Sequence, residues 1–194
     1  MTPRRLSQAI SEGDGISVIV AVDGPEAARG ADEAGAEAVL VHSGQEGKLS
    51  AIRGVTDLPI LFFFDGQHAV DLDGVDACLV DVLDDDRGWL DHLRLELGDR
   101  FELAPRICNE QHLEFVLDAL DPEILVLGVP PKDEAALEGV LDLLPDVPAG
   151  KLAIADAGAR TREEVVELER AGVDGVIVGA ANVADLVGAA PPEV

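Results

Sequence analysis

The sequence predicts one domain, residues 1–194, folded as a compact α/β structure: a parallel (β/α)8 TIM barrel with short loops. Three observations predict it. Eight short aliphatic runs alternate with longer amphipathic segments. The hydrophobic 47 % is built from Ala, Val, Ile and Leu, with 20 Gly, five Phe, one Trp and no Tyr. Such small side chains suit strands buried on both faces beneath closely packed helices. Finally, one pattern recurs: a helix-capping glycine, an acid, then an aliphatic strand. It is read at Gly35-Ala36-Glu37, Gly74-Val75-Asp76 and Gly172-Val173-Asp174, before the second, fourth and eighth runs. Recurrence at even-numbered strands favours a closed barrel. An open doubly wound sheet is the main rival, but Val22-Asp23-Gly24-Pro25 lacks its glycine-rich first turn.

The strands are expected at Ile16 to Val22, Ala38 to Val41, Leu58 to Phe64, Ala77 to Val80, Glu102 to Arg106, Ile124 to Leu127, Leu152 to Ala155 and Gly175 to Val178. Between them, Pro25 to Ala34 reads as a helix with Pro in its first turn and Gly35 at its end. Thr161 and Glu164 have capping-box spacing, and the helix they open stops at Gly172. Leu90 to Leu97, Leu113 to Leu120 and Ala135 to Leu144 show helical apolar spacing. The helix after strand three, Gly66 to Leu72, is expected to be stunted. A chain of 194 residues lies just under the usual barrel size of ~200 or more, so its loops must be minimal.

Fourteen basic against 39 acidic residues give a net charge of −25. That charge argues against nucleic-acid and anionic-membrane partners. The acids are spread along the whole length, and Lys occurs only at 48, 132 and 151. A surface adapted to concentrated salt explains this better than an acidic tail or cation patch. At 1 M salt the Debye length is only ~3 Å, which screens self-repulsion, so stability is expected to rise with KCl. Cys78 and Cys108 lack metal spacing and are expected to be buried free thiols. No apolar leader or membrane-length run occurs, so the default expectation is a cytoplasmic protein. No cofactor or metal motif is read, and a protein partner or homo-oligomer stays open.

In a parallel barrel, chemistry sits at the carboxyl ends of the strands. Strand seven ends Asp156-Ala157-Gly158-Ala159-Arg160, and strand eight ends Gly179-Ala180-Ala181. Glycines there let backbone N–H groups approach an anion, and a short helix starting near Ala180 would aim its positive end at the same place. Gly158, Gly179, Ala180 and Ala181 are therefore the expected phosphate-binding residues. Taken singly, each glycine is equally well explained by a tight turn. Asp65, Asp81, Arg106, Lys132 and Asp156 also fall at strand ends. They serve either as substrate-binding and proton-moving groups or as a satisfied ion network on the rim. His42 and His68 follow strands two and three and read as surface residues; Asp84-Asp85-Asp86 reads as a solvated helix start.

The run from Lys151 to Val165, followed by Ala171 to Gly179, resembles indole-3-glycerol phosphate synthase, with its E-S-G-I-x-T-x-x-D/E and G-V/A-D-x-x-L-V-G-E segments. Glu46 to Arg53, Leu58-Pro59-Ile60-Leu61, Gly74 to Val80 and Leu127 to Asp133 are similar to further segments of that family. The resemblance covers about residues 16 to 185 and implies a phosphorylated substrate and a lyase of tryptophan biosynthesis. It also exposes departures. Phe63 stands where the family has its catalytic lysine. Arg106-Ile107-Cys108 replaces the strand-five segment holding its glutamate. Pro130 replaces an Asn, Asp156-Ala157-Gly158 replaces E-S-G, and apolar Val20 to Val22 replaces a strand-one E-x-K. Strand one begins near Ile16, so the family's substrate-covering extension has no counterpart here. Phe cannot donate a proton. The best remaining catalytic candidates are Asp156, Lys132, Arg106 and Asp65. The alternatives are a catalytically inactive paralogue that binds or assembles, favoured by Phe62 to Phe64, and an isomerase or aldolase-like activity.

Overall fold

The computed structural model describes residues 6–13, 15–66, 71–82, 87–97, 100–128, 136–181 and 183–187. Eight parallel strands close in sequence order into a barrel: β1 (Ser17–Val22), β2 (Ala38–His42), β3 (Ile60–Phe64), β4 (Ala77–Asp81), β5 (Glu102–Ile107), β6 (Ile124–Leu127), β7 (Leu152–Ala155) and β8 (Gly175–Gly179). The ring closes where β8 pairs with β1, in register from Ser17↔Gly175 to Ala21↔Gly179. The helices are α1 (Leu6–Ser11), α2 (Pro25–Glu33), α3 (Leu49–Arg53), α4 (Arg87–Glu96), α5 (Glu110–Ala119), α6 (Ala136–Leu143), α7 (Arg162–Ala171) and α8 (Val183–Val187).

Every expected strand is present within two residues of its expected ends. The capping box at α7 forms as read, with Thr161 and Glu164 bonded reciprocally and Gly172 left-handed at the other end. Between β3 and β4 the described residues form no helix; positions 67–70, including His68, lie outside them, as do 83–86 with Asp84 to Asp86. The last helix starts at Val183 rather than near Ala180. No helix of the described residues is long and apolar enough to cross a membrane.

Side chains alternate between the two faces of each strand, and so build two cores. The outer one lies between strands and helices. The inner one fills the barrel with Ile19, Leu40, Leu61, Leu79, Val126, Ile154 and Ile177, among others. A feature not read from the sequence closes the lower end: α1 inserts Leu6 and Ile10 into this inner core. The Ser7 hydroxyl and N–H both donate to the Glu102 carboxylate at the start of β5.

The recurrent glycine–acid pattern is a set of clamps at this same end. Gly35, Gly74 and Gly172 hold φ of 88°, 87° and 99°; Gly35 and Gly172 turn a helix into the next strand, and Gly74 makes the equivalent turn into β4. The acid that follows reaches to the preceding strand. Val18 N–H donates to Glu37, Ile60 N–H to Asp76 and Ala153 N–H to Asp174, each at 2.8 Å. A hydrogen bond to a charged acceptor contributes about 1.5–3 kcal/mol. Each clamp thus ties an even strand to the odd strand that precedes it.

Candidate functional site

The opposite end of the barrel is built by the next step of the same alternation. Two residues beyond Leu40, Leu61, Leu79, Ala104, Val126, Ile154 and Ile177 of the inner core come His42, Phe63, Asp81, Arg106, Gly128, Asp156 and Gly179. The apolar interior therefore ends in a ring of polar, aromatic and glycine positions. Backbone bonds keep this ring in register past the strand ends, since Gly128 N–H donates to Ile107 O at 3.0 Å and Asp156 N–H to Leu127 O at 2.8 Å.

Arg106 lies at the centre of the polar part. Its Nε and Nη2 donate to Asp81 Oδ1 and Oδ2 at 2.6 and 2.9 Å, a side-on bidentate pair, and its Nη1 donates to Asp156 Oδ2 at 2.7 Å. The Phe63 ring lies beneath the guanidinium, 5.2 Å from its carbon, within cation–π range. His42 meets the Phe63 ring edge-on at 5.9 Å. The side chains of Arg106, Asp81 and Asp156 keep 14, 27 and 19 % exposure, so solvent reaches them. Burial alone would lower the Arg106 pKa, but its hydrogen bonds to Asp81 and Asp156 outweigh this and raise it. Arg106 is therefore a permanent cation and not a proton donor. Gly128 makes room for Asp156: a Cβ there would overlap the Asp156 carbonyl oxygen.

The glycine turns lie beside this cluster. Ala155 of β7 pairs with Val176 of β8, so Gly158 and Gly179 each follow that rung by three residues. Both are exposed, as are Ala180 and Ala181. Neither glycine has any atom within 4 Å of where a Cβ would lie, and Gly158 holds φ +66°. The five-residue helix α8 follows, with Asp185 in its first turn and its Leu186 carbonyl accepting from Arg162 Nη1 at 2.5 Å.

Of the sequence-derived catalytic candidates, Arg106 and Asp156 are brought together. Asp65 stands exposed just after β3, and Lys132 lies outside the described residues, together with Pro130. Asp81 takes a full share in the network. His42 is exposed, as read, but packs against the site's aromatic ring. From the sequence, Phe63 stands out only as a replaced lysine and Gly128 is overlooked; counting two residues on from each interior position finds both in the ring. Cys78 is a buried free thiol, pushed up to about 12 by burial. Cys108 differs from expectation: it is only half-buried, because it follows the end of β5 beside Arg106, and desolvation raises its pKa above the ordinary thiol value. Among the described residues, no group of three or more His, Cys, Asp or Glu side chains could hold a metal ion.

No family model matches the chain. It is similar to indole-3-glycerol phosphate synthase of Variovorax paradoxus (strain S110), 30 % identical over 143 residues, which are 69 % of this chain and 53 % of that one. The enzyme of the same name from Geobacillus sp. (strain WCH70) is 29 % identical over 169 residues, 78 % of this chain and 64 % of that one. The chain thus spans between about half and two thirds of these relatives. Among solved structures, thiamine phosphate pyrophosphorylase from Pyrococcus furiosus superposes with a TM-score of 0.68 at 18 % identity, over 88 % of this chain and 90 % of that one. A chain of a designed cube-shaped, highly porous protein cage superposes with the same TM-score at 17 % identity, over 89 % and 71 %. These two likenesses are of fold.

Proposed function

We propose that this chain is a barrel of the indole-3-glycerol phosphate synthase type that binds a phosphorylated small metabolite at the ends of β7 and β8. The observation that carries the reading is the matched pair Gly158 and Gly179, exposed at equivalent register and with open space on the side where a side chain would stand. Their backbone amides, with those of Ala180 and Ala181, would hold the phosphate. The distant likeness to two synthases supports the same end of the barrel for a substrate. The finer reading is a carbon–carbon lyase of tryptophan-biosynthesis type, with Asp156, Arg106, Asp65 and Lys132 around the reacting part.

Phe63 favours a second reading, an inactive paralogue that binds or assembles. Its ring underlies Arg106 and offers no proton where the resemblance places a lysine. Titration of inorganic phosphate against melting temperature tests the binding claim. The midpoint should rise, and Gly179→Glu, which puts a carboxylate into the anion's place, should abolish the rise. An unchanged rise in that variant sinks the site. Formation of indole-glycerol phosphate by the unaltered chain would support the lyase; absence of turnover with the phosphate response intact would support the second reading.

A further inference from the structure

We propose that the mouth of this barrel carries out proton abstraction next to a carbonyl, with Asp156 as base and Arg106 as the group that holds the developing oxyanion. The ligand class is then a phosphorylated ketone or ketose. The proposal rests on the phosphate reading for substrate anchoring, and its chemistry comes from an asymmetry within the Arg106 cluster.

A guanidinium has five N–H donors. Three of those on Arg106 meet carboxylates, which leaves two for a ligand oxygen among the described residues. Asp81 has both oxygens engaged by Arg106, whereas Asp156 meets it through Oδ2 alone. Asp156 Oδ1 takes part in no hydrogen bond among the described residues and is the one oxygen of the pair left for a proton. Phe63 covers one face of the guanidinium, and the two remaining N–H groups lie in its plane, so a ligand oxygen meets them at the edge. Phe63 below and Asp81 beside it hold Arg106 still, and fixed donors are what electrostatic stabilisation of a developing charge requires. Phe63 is thus a positioning residue.

The step balances without a further reactant. Asp156 Oδ1 takes the proton from the carbon next to the carbonyl. The C–H electron pair becomes the carbon–carbon double bond, and the carbonyl π pair moves to oxygen. The resulting enolate oxygen faces Arg106, and return of the proton to the same carbon restores the ketone, with exchange or inversion at that carbon.

The experiment is deuterium exchange at the α-carbon protons of ribulose 5-phosphate in D2O, followed by proton NMR. The full chain should exchange these protons at least tenfold faster than buffer. D156N should fall to the buffer rate. Phe63→Leu should slow exchange about tenfold while the melting-temperature response to inorganic phosphate stays intact, and Phe63→Tyr, which keeps the ring, should restore the rate. Exchange at the buffer rate in the full chain, or exchange that survives in D156N, overturns the proposal. A phosphate response without exchange defeats this inference alone; loss of the phosphate response defeats the reading beneath it.

Discussion

The two ends of this barrel use the same residue type for opposite purposes. At the lower end Glu37, Asp76 and Asp174 accept from backbone N–H groups of neighbouring strands, and α1 seals the interior with Leu6 and Ile10. At the mouth Asp81 and Asp156 grip a side chain, Arg106, that no strand pairing needs. Backbone clamps leave no donor for a ligand. A side-chain network that is partly exposed and incompletely engaged does. Asp76 also pairs with Arg53, but that guanidinium bonds the Gly74 and Leu58 carbonyls as well, so among the described residues the mouth differs in that Arg106 meets carboxylates alone.

Substitutions at the two ends should therefore separate stability from binding. The largest effect is expected from Leu6→Ala. Leu6 is fully buried, and truncating such a side chain costs about 2–5 kcal/mol. Denaturant unfolding should show that loss while phosphate affinity in the folded protein stays constant. Altered affinity would mean that the plug and the mouth are coupled. Arg106→Gln should cost less, about 1–3 kcal/mol, because the carboxylates it leaves behind are partly hydrated. It should also abolish the α-proton exchange. A fully active R106Q would assign the network to stability alone. Thr161→Ala removes the cap of α7 and should cost about 1 kcal/mol. Thr161 lies three residues beyond Gly158, so this variant also tests whether the β7–α7 turn must be rigid for phosphate to bind.

The fold was legible because it depends on local patterns. Each aliphatic run has a period and each helix a stop, and Gly35, Gly74 and Gly172 announce the turns before β2, β4 and β8 by the backbone they demand. The strand Glu102–Ile107, whose run ELAPRI carries two charged residues and a Pro, was still placed, because β4 and β6 on either side fix its position. What was not legible depends on distance in the chain. The closing role of α1 needs Glu102, 95 residues away, to anchor Ser7. The ion network joins Arg106 to residues 25 and 50 positions off. Local pattern brings Asp65 and Asp156 equally to a strand end, and only the alternation through the interior shows that Asp156 is in the ring. The contact of Phe63 was not legible for a related reason: its partner, Arg106, lies two strands away.

The smallest effect is in pH dependence, where the two ends should differ in sign. Burial raises the Glu37 pKa above its ordinary 4.5, against the opposing Val18 N–H bond. A carboxyl raised on folding contributes stability that is present below its unfolded value and is lost as pH rises through the folded one. Glu164, in the capping box near the mouth, is shifted the other way. The N–H of Arg160 and then of Thr161 bond its carboxylate and lower its pKa below 4.5. Its contribution is present above 4.5 and is lost as pH falls. Glu37→Gln keeps an acceptor for Val18 but cannot titrate, so it should remove a decline in stability as pH rises above 4.5. Glu164→Gln should remove a decline as pH drops below that value. Denaturant unfolding of both variants and the parent, from about pH 3 to 7, compares the slopes directly. Parallel curves for Glu37→Gln and the parent would mean that the lower clamp is hydrated, and the contrast between a dry closed end and a wet open mouth would lose its lower half.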